Sequence, residues 1–163
     1  MKELEQWMEK MKGKEFDLSK DEDLSIALMN LISLEEHLYF SAMKTGNKQY
    51  FPMLQAVRQL RIKLLKRIVK NPKGEEWCIS KHLLAASMRL MEVGTKELSE
   101  GKEDALSLFQ SSFHLYSLFF AINLGMVEIE KVKEDVGKSE EASKGMMQKI
   151  SVIVKKIIDC CKE

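Results

Sequence analysis

The chain has 163 residues, of which 45% are apolar and 31% charged, enough for one domain with a real core and too apolar for disorder. Two prolines and eight glycines are too few for a loop-rich β fold, and a net charge of +1 gives no global electrostatic case for nucleic acid or membrane. Cys78, Cys160 and Cys161 have no framework spacing, which points to unpaired thiols in a reducing, cytoplasmic setting. The eleven methionines read as core filler rather than as an adaptable binding surface.

Met1–Lys12 places Leu4, Trp7, Met8 and Met11 at helical spacing before Gly13. This predicts a short amphipathic helix, anchored to the rest of the molecule by Trp7. Ser19-Lys20-Asp21-Glu22 has the pattern of a capping box, in which hydroxyl and carboxylate satisfy free N–H groups at a helix start. The helix it opens is expected to stop at Gly46. At 100° per residue, Leu24, Ala27, Leu28, Leu31, Leu34, Leu38 and Ala42 share one face, with Glu35 in its middle. Ile26, Met29, His37 and Phe40 form a second, weaker apolar stripe, suited to a second neighbour or a dimer surface.

A third helix begins near Phe51, with Pro52 in its first turn, where a missing N–H costs little. Leu54, Val57, Leu60, Leu64, Leu65 and Ile68 make its inner face, with Arg61 near the centre and Arg58 on the flank. Lys63, Lys66, Arg67 and Lys70 lie opposite and read as a solvated face, since no aromatic residues interleave with them to suit nucleic acid. After Asn71-Pro72-Lys73-Gly74, a fourth helix starts at Glu75–Glu76, two carboxylates at the positive end of the helix dipole. Ile79, Leu83, Ala86, Leu90 and Val93 are its expected core line.

Ala105–Val127 runs 23 residues without a charged side chain, between Asp104 and Glu128. Such a helix is buried all round, in protein or in lipid. Ser107, Gln110, Ser111, Ser112, His114, Ser117 and Asn123 are costly in lipid, so it reads as the central helix of a bundle. Beyond Gly125 the chain is strongly charged, and whether 127–136 continues as helix, or breaks at Gly137 or Gly145, stays open. Met146, Met147, Ile150, Val154, Ile157, Ile158 and Cys161 predict a last amphipathic helix that covers the bundle.

The motifs of common chemistry are absent. There is no Glu-x-x-His for a carboxylate di-metal site, and no His-Glu-x-x-His, Cys-x-x-Cys, P-loop or Gly-x-Ser-x-Gly. No histidine has the arginine four to six residues upstream that a helical nuclease of the HEPN kind would carry.

What remains is geometric. In an up-down bundle with turns near residues 47, 73 and 100, Glu35 and Arg61 lie roughly 18–21 Å from one end. His114 falls at roughly 20 Å and Arg89 at roughly 16 Å from it. Glu35, Arg61, Arg89 and His114 would then share one layer, serving either as a lock on helix register or as a pocket for an acid or phosphate. Cys78 and His82 share a helical face at a spacing usable for zinc, but the counted levels of the other histidines spread too far for one ion.

The sequence therefore predicts an all-α single domain over residues 1–163. Its core is an up-down four-helix bundle around Ala105–Val127, with additional N- and C-terminal amphipathic helices. The function expected is that of a non-catalytic cytoplasmic module acting through protein–protein contact, as a homodimer, with no cofactor, nucleic acid or membrane. The alternative is a small-molecule binder or enzyme using the Glu35, Arg61, Arg89 and His114 layer.

Overall fold

Side-chain volume and glycine placement decide how this chain packs. The computed structural model describes residues 2–13, 17–130, 132 and 140–158. It contains α1 (Lys2–Met11), α2 (Ser19–Thr45), α3 (Tyr50–Ile68), α4 (Glu76–Ser99), α5 (Ala105–Asn123) and α6 (Glu140–Ile157), and no strand among the described residues. The fold is an all-α bundle. Cys160, Cys161 and Gly137 lie outside the described residues, whereas Gly145 sits within α6.

The broadest contact joins α4 to α5, followed by α2 to α3 and α5 to α6, while α2 and α4 touch over a smaller area. The packing order is therefore α3, α2, α4, α5, α6, with α3 at one edge. One core runs through all of them: Leu4, Leu28, Leu65, Leu84, Phe119, Phe120, Met126, Ile150 and Val154 belong to a single buried cluster. Phe119 and Phe120 stack edge to face at 5.2 Å, and Phe120 repeats that geometry with Tyr116. Trp7 anchors α1 as its position suggested, donating its indole N–H to the Leu124 carbonyl at 3.0 Å.

The end of α5 shows how sequence sets a boundary. Gly125 takes φ +67°, the Gly125 N–H bonds to the Ile122 carbonyl at 3.0 Å, and the Met126 N–H reaches back to Ala121 at 2.8 Å. That is a Schellman stop, completed by the fully buried Met126 side chain. The helix thus ends four residues before the apolar run does. α5 is long and apolar enough to cross a membrane by length and composition. Yet Ser117 through Ile122 are buried in the protein, while Leu106, Ser107, Gln110 and Ser111 are exposed. Burial on every side holds for its C-terminal half only, because Ser107, Gln110 and Ser111 of the first half fall on one outward arc, while Ser112 turns inward.

Two local expectations fail for identifiable reasons. The capping box at Ser19 does not form: Ser19 donates its hydroxyl and its N–H to Asp17 Oδ1, at 2.7 and 3.1 Å, and Glu22 is buried. Asp17, one residue before the Leu18 N-cap position, thus takes the first helical N–H. On α4 the buried residues are Ser80, Leu84, Ser87 and Gly94, whereas Ala86 and Val93 are exposed. The core line is rotated by one residue from Ile79, Leu83, Ala86, Leu90 and Val93 because α5 approaches α4 across small side chains. Asn123 donates to Ser80 Oγ at 3.1 Å, Ser87 and Ser112 bond reciprocally, and a Cβ on Gly94 would sit 3.0 Å from the Phe109 ring.

Candidate functional site

Glu35 and Arg61 meet as their periodicity predicted. Glu35 leaves α2 in the middle of the face that packs on α3, and Arg61 leaves α3 from the centre of its buried face, 3% exposed. The Arg61 guanidinium grips the carboxylate with two bonds, Nε to Oε1 at 2.7 Å and Nη2 to Oε2 at 3.1 Å. Arg58 adds a third cationic contact, 3.9 Å from Oε2, with its own side chain half in solvent. Two parallel N–H···O bonds of this kind fix the rotation and register of two helices together. The Arg61 donors that would hold an anionic ligand already hold Glu35.

Arg89 is at the expected level on the wrong side of α2. It donates to Ser33 Oγ at 2.5 Å and lies 3.6 Å from the Glu36 carboxylate. Consecutive helical residues diverge by 100°, so Glu35 points to α3 while Glu36 points to α4. The two carboxylates tie α2 to both neighbours. Arg89 lines an open cleft of about 460 Å³ with Asn30, Ser33, Leu34, His37 and Phe40. His114 is half-buried on α5, which packs broadly on α4 and α6, and it makes no hydrogen bond or ion pair among the described residues. The four-residue layer therefore divides into a Glu35–Arg61 lock, an Arg89 contact across the α2–α4 seam, and His114 apart from both. Cys78 and His82 are exposed one turn apart on α4, and no three metal-ligating side chains converge among the described residues.

A second buried polar contact went unpredicted. Ser25 donates its only hydroxyl proton to the Glu22 carbonyl at 2.6 Å, so the 2.7 Å contact to Tyr116 must have the tyrosine as donor. Burial pushes the Tyr116 hydroxyl up from 10 to about 12, with the Glu22 and Asp23 carboxylates adding to the rise. The neutral phenol is the form the fold accepts, so stability from this residue is fully present below pH 10. It is lost as pH rises from 10 to about 12, because only the unfolded chain ionises in that window. The loss should reach about 2–3 kcal/mol across that window. Urea melts of the wild type and of Tyr116→Phe at several pH values check this, since the variant should lack that part of the alkaline fall.

Compared with protein families, curated proteins and solved structures, the chain shows no match.

The feature that sequence reasoning missed is where the apolar exposure collects. Leu106, Leu98, Phe40, Met43 and Met53 are the most exposed large hydrophobic side chains described, each more than half exposed. All five flank the α2–α3 turn or the α4–α5 turn. Phe40 belongs to the second stripe of α2, whose members separate in the fold: Met29 is buried, and Ile26, His37 and Phe40 are exposed.

Proposed function

We propose that this chain is a non-catalytic cytoplasmic helical module that works through protein–protein contact and self-associates as a homodimer. The observation that carries the proposal is the exposed apolar surface beside the two turns. Exposed apolar residues scattered singly need no explanation, but their concentration at the turns suits contact with another protein. The alternative, a pocket that binds an acid or phosphate at Arg61, has less support, since Glu35 occupies both of the guanidinium's inner donors.

Native mass spectrometry of the tag-free protein, purified without chelator, tests the proposal. The expected result is a dimer of bare chains. A monodisperse monomer carrying an anionic ligand or a stoichiometric metal would sink it and return attention to Glu35, Arg61 and His114.

A further inference from the structure

The two turns sit at the same end of the bundle. Ser25 meets Tyr116, Ser87 meets Ser112 in the antiparallel α4–α5 seam, and Glu36 meets Arg89. That register sets Tyr116 opposite residue 83, so moving along α2 from Ser25 to Glu36 moves along α4 from residue 83 to Arg89. Helices α2 and α4 therefore run parallel, and both end on the same side.

The apolar surfaces at that end carry opposite charge. Residues 37–74, which hold the end of α2 and all of α3, include nine of the chain's 26 Lys and Arg and none of its 25 Asp and Glu. Two of the nine, Lys44 and Lys48, stand at the tip, while Arg58 and Arg61 hold Glu35 and the rest lie toward or beyond the far end of α3. The remaining 125 residues then carry 17 basic against 25 acidic side chains. Within residues 91–106, around the α4–α5 turn, five acidic residues face two lysines. The first tip thus presents Phe40, Met43, Phe51 and Met53 beside Lys44 and Lys48, and the second presents Leu98 and Leu106 among Glu97, Glu103 and Glu100, the last of them paired with Lys102 at 2.7 Å. Each tip alone is a poor self-partner, because like charges would be juxtaposed as apolar surface was buried.

We infer that the partner for this end is a second copy of the chain, docked end to end about a twofold axis. The basic α2–α3 tip of each copy meets the acidic α4–α5 tip of the other. The inference rests on the self-association proposed above and names its surface. A twofold axis makes both contacts at once, since a residue pair formed one way is formed the other way too. The apolar residues supply the burial, and the charges choose orientation and exclude the like-to-like alternative.

Sedimentation velocity of the wild type and of two charge-reversal variants tests this. Lys44→Glu with Lys48→Glu makes both tips acidic, and Glu100→Lys with Glu103→Lys makes both tips basic. All four side chains are exposed beside turns, and circular dichroism checks that each variant keeps its helices. Each variant alone should dimerise at least about tenfold more weakly than wild type, whereas an equimolar mixture of the two should recover a dimer. Raising salt from about 50 to about 500 mM should weaken the wild-type dimer. A dimer indifferent to both charge reversals would leave self-association standing and overturn this interface. A monomeric wild type would overturn both, and a monomer that binds phosphatidylserine vesicles or a DNA oligonucleotide through the basic tip would reassign that tip to another partner.

Discussion

Replacing Arg61 with alanine is expected to cost the fold about 3–5 kcal/mol. The reason is what it leaves behind. The Glu35 side chain is only 13% exposed and draws two short bonds from Arg61, so truncating the arginine strands a carboxylate against α3. Arg58 lies near enough to soften the loss, but at 3.9 Å and half in solvent it cannot replace a bidentate grip. Arg61→Lys should fall between, because an ammonium is a point charge without the planar fork. The double change Glu35→Leu with Arg61→Leu should recover most of the stability, since a buried ion pair exchanged for well-packed apolar groups is often neutral or better. Chemical denaturation of the four proteins checks the series. If Arg61→Ala melted like wild type, the pair would not be a structural lock.

The same pair shows why part of this molecule was legible and part was not. A charge in the middle of an apolar face is a strong signal, and Glu35 and Arg61 each gave it, so they met as predicted. Arg89 was found at the right level because helical rise depends only on residue count. Its side was missed because the neighbour that α2 presents to α4 is Glu36, 100° round from Glu35. Helix existence followed from periodicity and glycine stops such as Gly46, yet the α5 terminus was set by Gly125, inside an apolar run that composition alone extended to Val127. On α4 the rule that large apolar residues face inward was right for Ile79 and Leu83, which pack against the core, and wrong for Ala86 and Val93, which are exposed. The buried positions Ser80, Ser87 and Gly94 recur every seven residues, a pattern visible in the sequence once small side chains are weighed as contact residues.

That small-residue seam makes the second strong prediction. Ser87→Leu should destabilise the protein by about 2–4 kcal/mol, read as a drop in the urea midpoint with an unchanged slope. Ser87 donates to the Ser112 carbonyl at 2.9 Å while Ser112 donates to the Ser87 carbonyl at 2.7 Å, and their hydroxyl oxygens lie 3.1 Å apart. Leucine removes the hydroxyl that bonds the Ser112 carbonyl, and its three added carbons must either crowd the broadest contact in the molecule or turn into the neighbouring apolar cleft lined by Ile26, Met29, Met91 and Tyr116. Ser87→Ala separates the two causes. It removes one hydroxyl bond worth about 0.5–1.5 kcal/mol but keeps the bond from Ser112 and the helix spacing. Gly94→Ala reports the same spacing one heptad on. Alanine normally gains about 1 kcal/mol over glycine inside a helix, but here its Cβ would stand 3.0 Å from Phe109 Cε1 and 3.3 Å from Leu108 Cβ, so that gain should vanish. If alanine at position 94 stabilised by its full helical preference, α4 and α5 would not be in close contact. The core line would then be the one that large apolar residues alone suggest.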